Sequence, residues 1–261
     1  MNKIVLTILL STIFGVFGLY YYNRSESKNN RMFREALSKD VFFITFLAPL
    51  VGAALFSFLI SLVFVEADTE TFFKSDVVLL TAMFYLYGVY SVSMGMHALA
   101  KAFKPEVFRM KDGKLGKLIY FFHGPFSHTV SELSISLIFA LLMIYNINHP
   151  VKTVLTKPDI IIVVACGIIL GIGMAIVYAI GNALSLKKWI LLFIIGILIY
   201  VERTSKSTMM HSPLSIYILT SYIVAGLILF INEYGPYKNV FMKFVDKKFV
   251  SVEKDWTGVL Q

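Results

Sequence analysis

Apolar positions in this chain come in long unbroken runs rather than at the spacing of an amphipathic face. A bilayer core requires about 20 apolar residues per helix. Runs of that kind occupy residues 4–22, 41–65, 77–100, 118–147, 160–184, 189–201 and 213–231. They predict an all-α integral membrane protein, a bundle of seven transmembrane helices over 1–232, followed by a basic and aromatic tail over 233–261. The run at 189–201 is short, so it spans only by thinning the bilayer or by continuing past Glu202 and Arg203. The tail alternates charge with Tyr237, Phe241, Phe244, Phe249 and Trp256, which reads as a segment lying along the cytoplasmic interface.

Charge agrees with this reading and adds orientation. Only 15% of residues are charged, against about 25% in a soluble domain. The net charge of +8 sits at the ends of the apolar runs, so it orients the chain rather than forming a footprint for nucleic acid. Of the 24 Lys and Arg residues, 18 fall in 23–40, 101–117, 187–188 and the tail, on alternate sides of successive runs. The positive-inside rule then makes the N-terminus extracytoplasmic and the C-terminus cytoplasmic, as in a multi-pass protein of the plasma or cytoplasmic membrane. The first run has the length of a signal peptide. It ends in Tyr20-Tyr21-Tyr22 with no small-x-small cleavage site, which favours a retained helix.

The lone cysteine, Cys166, excludes a disulfide framework or a thiolate metal cage. Gly167 and Gly171, with Gly173, Ala175, Ala179 and Gly181, form a stripe that lets helix backbones approach closely, read here as packing within the chain. Pro49 and Pro125 lie inside runs, where they kink a helix, and Pro213 sits at a first turn, where proline is at home.

The chemistry concentrates where lipid would demand leucine. The segment from Tyr120 to Glu132 carries His123, Ser127, His128, Ser131 and Glu132 at the start of the fourth run. Ionisable groups inside a bilayer face a bundle interior or a water-filled cavity and mark function. Taking Lys117 as the boundary, His123 lies roughly 9 Å and His128 roughly 16 Å deep at 1.5 Å per residue. Glu132 follows His128 by four residues and shares its face. His123 is expected about 140° away from His128, on a stripe with Ser127 and Ser134. The third run contributes Ser93 and His97, again four apart, at a depth matching His123. The expected site is therefore His97, His123, His128 and Glu132 with Ser93 close by. Imidazole and carboxylate suit Zn²⁺ or another divalent metal, with a position left open for water. His149 precedes Pro150 in an outer loop and is expected to be solvated. His211 lies at the outer end of the last run, too far away to join the others. The run 213–231 has no mid-span lysine for a Schiff base, and no P-loop, Rossmann glycine pattern, His-Glu-x-x-His or Cys-x-x-Cys occurs.

The stretch from Gly88 to Phe103, with Ser93-x-x-x-His97 and a second polar cluster opening the next helix, resembles the CREST superfamily of seven-helix membrane proteins. That group includes the alkaline ceramidases and the progestin-adipoQ receptors. The resemblance implies a catalytic zinc and hydrolysis of lipid amide bonds, with His97 a zinc ligand and Ser93 beside the metal. The family's histidine pair on the last helix is missing, since only His211 stands there, and its aspartate on the next helix has no counterpart unless His123 or Glu132 replaces it.

Four functional readings follow. The first is a metal-dependent hydrolase of a lipid-like substrate, with His97, His123 and His128 as ligands and Glu132 and Ser93 as catalytic groups. The second is a proton-coupled transporter or carrier using His128 and Glu132. The others are a haem-binding membrane protein and a non-catalytic subunit of a membrane complex.

Overall fold

The computed structural model describes residues 2–25, 31–32, 37–38, 74–102, 113–149, 154–180 and 212–234, with single positions between 50 and 65, between 191 and 203 and at 243. The runs at 41–65 and 189–201, His211 and the tail fall outside the described residues apart from those single positions.

Nearly all described residues are helical: α1 Lys3–Ser25, α2 Lys74–Ala102, α3 Lys114–Phe121, a π turn Phe122–Phe126, α4 Ser127–Asn148, α5 Lys157–Ile180 and α6 Pro213–Tyr234. Two two-residue strands, β1 Arg31–Met32 and β2 Leu37–Ser38, pair antiparallel. Four stretches are long and apolar enough to cross a membrane: Asp76–Ala100, Lys114–Asn146, Lys157–Ile176 and Pro213–Asn232. In α1 the corresponding stretch, Lys3–Phe17, is shorter. The 33 residues from Lys114 to Asn146 would rise about 50 Å if straight, well beyond the hydrocarbon thickness, so this segment must tilt or extend past the bilayer.

Local chemistry sets the helix starts. The Asn2 side chain accepts the Ile4 N–H at 2.7 Å, capping α1. At α5, the Asp159 N–H donates to Thr156 Oγ1 at 3.3 Å while the Thr156 N–H donates to Asp159 Oδ2 at 3.1 Å, a reciprocal capping box. Pro213 occupies the first turn of α6, as expected.

Two helix pairs carry the packing. In one, α5 runs along α6, with α1 against both; in the other, α2 runs along α4. The glycine stripe explains the first. A Cβ on Gly167 would stand 2.8 Å from the Tyr217 carbonyl oxygen, and one on Gly171 would stand 2.6 Å from that of Ser221. The stripe thus serves contact within the chain. The Thr12 and Tyr217 hydroxyls, 3.2 Å apart, tie α1 to α6. The Tyr222 hydroxyl donates to the Ser136 carbonyl at 3.2 Å, joining α6 to α4 and hence one pair to the other. Ile4, Ile8, Leu142, Met143, Leu214 and Ile218 fill the shared core.

Candidate metal centre

A π turn builds the centre. Pro125 has no N–H to donate to the carbonyl four residues back, so an ordinary α-helical ladder cannot run through it. The chain widens instead into the π turn Phe122–Phe126 between α3 and α4. Such a turn bonds residue i to i+5 and places side chains five apart on one face. The expected angle of about 140° between His123 and His128 holds for an unbroken α-helix. It is corrected here: their ring centroids lie 6.1 Å apart.

The neighbouring helix completes the group. His97 of α2 stacks on His123, with centroids 4.5 Å apart and planes 25° from parallel, and meets His128 edge-on at 4.8 Å. One ring nitrogen from each of the three lies within 4.8 Å of the others. His123 is buried, while His97 and His128 are half-buried. The similar depth expected for His97 and His123 is thus observed as direct contact.

Hydroxyls and carbonyls surround this cluster. Ser93 donates to the Ser127 carbonyl at 2.7 Å, crossing from α2 to α4. Ser127 donates to the His123 carbonyl, and the same carbonyl oxygen stands 3.0 Å from His97 Nδ1. Ser131 donates to the His128 carbonyl at 3.2 Å. Ser127, Ser131, Ser134 and Ser136 are all buried on α4, so the polar stripe read from the sequence faces inward. Glu132 is half-buried one turn beyond His128, with Oε2 shielded from solvent. It is not part of the compact trio, which among the described residues is made of imidazoles alone. Three ring nitrogens this close together can hold a divalent ion such as Zn²⁺ while leaving a coordination position open.

A second polar contact overturns an expectation. His149 is not solvated: it is 1% exposed, with Nε2 3.0 Å from the Asp76 carboxylate, which is 0% exposed. The Tyr145 ring lies 4.6 Å from the imidazole. Asp76 stands in the first turn of α2 and His149 caps the C-terminus of α4. Asp76 is the residue that sequence reading missed. Its signal was an acid in the first turn of an antiparallel neighbour, level with a histidine at the end of the next run.

Asp76 precedes His97 by 21 residues, and His128 precedes His149 by 21. The two polar clusters thus sit at opposite ends of one helix pair, about 31 Å apart at 1.5 Å per residue. Comparisons of this chain with protein-family models, curated proteins and solved structures find no match.

Proposed function

We propose that this chain is a metal-dependent membrane enzyme acting on a lipid-like substrate. The observation that carries the reading is the approach of His97, His123 and His128 to within 4.8 Å of one another through ring nitrogens. In this reading the three imidazoles are the ligands. A bound Zn²⁺ or other divalent ion supplies a Lewis acid and brings the pKa of bound water towards about 7. Glu132 moves the proton as general base and acid, a role worth about 10²–10⁴ in rate. Ser93 holds the Ser127 backbone and keeps its oxygen lone pairs for the reacting group. His97 stands one turn before the end of the apolar stretch Asp76–Ala100, and in this reading the substrate's polar linkage reaches the centre from that end. A bundle of seven helices with an extracytoplasmic N-terminus, as the charge pattern and the resemblance to the CREST superfamily imply, would put that linkage in the cytoplasmic leaflet.

Purified protein incubated with fluorescent lipid amides and esters in mixed micelles tests the activity. Hydrolysis should require a divalent ion, stop with a chelator and fall at least about a hundredfold in Glu132→Gln while metal content is unchanged.

A proton carrier would draw on the Asp76–His149 pair as a second station. Between Ser136 and Tyr145, however, the buried side chains of α4 are Ile138, Ala140, Leu142 and Met143. The polar stripe of α4 does not continue to the outer pair, which favours the enzyme.

A further inference from the structure

We propose that the His123 carbonyl and the Ser127 hydroxyl fix His97 as the tautomer protonated on Nδ1, so that its Nε2 carries the lone pair, and that Ser127 is a positioning residue of the centre. The purpose of this arrangement rests on the metal-centre reading above. Its geometry does not.

A carbonyl oxygen only accepts hydrogen bonds. The 3.0 Å approach of His97 Nδ1 to the His123 oxygen is therefore a hydrogen bond only when Nδ1 carries the hydrogen. Ser127 adds a second acceptor. Its own O–H is directed to the His123 carbonyl, which leaves lone pairs on Oγ, 3.4 Å from the same Nδ1. The His123 carbonyl and the Ser127 hydroxyl thus both present acceptors to Nδ1. In a neutral imidazole one nitrogen donates and the other accepts, so a hydrogen on Nδ1 leaves the lone pair on Nε2.

The π turn makes this carbonyl available. An α-helical ladder would direct the Ser127 N–H to His123, but it donates to the Gly124 carbonyl instead. Ser93 then holds the Ser127 backbone from α2, the helix that carries His97 itself, at 2.7 Å. The loop closes from α2 to α4 and back to α2. It works as the outer shell of a metal-binding histidine does: a backbone or hydroxyl acceptor orients the ring and selects the nitrogen offered to the metal. An unconstrained histidine side chain in water prefers its proton on Nε2, so the opposite tautomer identifies the constraint.

The test is ¹⁵N–¹H correlation spectroscopy of the full chain in detergent micelles, labelled at the histidine rings and stripped with chelator. His97 is assigned by the signals lost in His97→Gln. The wild type should show His97 protonated on Nδ1. Ser127→Ala should shift it towards the Nε2 tautomer and weaken Co²⁺ affinity, read from visible absorption, by about ten- to a hundredfold; Ser127→Thr should restore both. A wild-type His97 protonated on Nε2 overturns the inference, and an unchanged spectrum in Ser127→Ala removes the role given to Ser127. A tautomer on Nδ1 that depends on Ser127, in a protein that binds no Co²⁺, upholds this inference while the metal reading fails.

Discussion

The His97 ring stacks on that of His123 at a centroid distance of 4.5 Å, across two helices and 26 residues of chain. The contact depends on where the π turn leaves His123. In an unbroken α-helix through 118–147, His123 and His128 would diverge by about 140°, and His97 could meet only one of them.

Pro125→Ala restores the missing N–H and allows an α-helical ladder through the turn. Removing a proline from a helix interior should leave the fold as stable or stabilise it, by up to about 3 kcal/mol. Affinity for Co²⁺ should nevertheless fall by at least about tenfold, because His123 rotates away from the trio. Thermal unfolding and metal titration on one preparation separate the two effects. Affinity kept at the wild-type value would show that the π turn does not build the centre.

The Asp76–His149 contact lets stability be tested at the other end of the same helix pair. Asp76→Leu or His149→Leu alone removes the 3.0 Å hydrogen bond between two buried side chains, at a cost of about 1–3 kcal/mol. The double substitution removes both and should recover most of that loss. A double-mutant cycle by unfolding in detergent measures the coupling. Additive losses would contradict a direct pair.

At the α5–α6 contact, Gly171→Ala places a Cβ 2.6 Å from the Ser221 carbonyl oxygen, so the helices must move apart. Overpacking of this kind costs about 1–3 kcal/mol. Gly173→Ala is the control, since a Cβ there meets nothing within 4 Å and alanine favours the helix. Thermal unfolding should separate the two variants clearly, and equal behaviour would contradict the close approach.

Much of this was legible in the sequence because the bilayer imposes a simple rule. Apolar length alone located α1, α2, α5 and α6 to within a few residues, and it read α3, the π turn and α4 as one run. The polar positions that break the apolar pattern, His97, His123, His128 and the serines of α4, are those found facing inward. What the sequence did not reveal depends on backbone detail. Pro125 signalled a kink, but a missing N–H does not by itself decide between a bend and a π turn. That choice decides whether His123 faces His128. His149 looked solvated because it precedes a proline after a helix. Its burial depends on Asp76, 73 residues earlier, and a contact at that separation has no local signature.

The proposed enzyme depends on the imidazoles of His97, His123 and His128 holding a metal ion. Elemental analysis of the purified full chain, paired with Zn²⁺ and Co²⁺ titration of chelator-stripped protein, tests it most directly. The protein should hold one divalent ion per chain, give a Co²⁺ spectrum of imidazole ligation, and lose both in His97→Ala, His123→Ala and His128→Ala. Both should persist in His149→Ala. A folded protein that takes up no stoichiometric ion, or one whose ion survives all three substitutions, would contradict it.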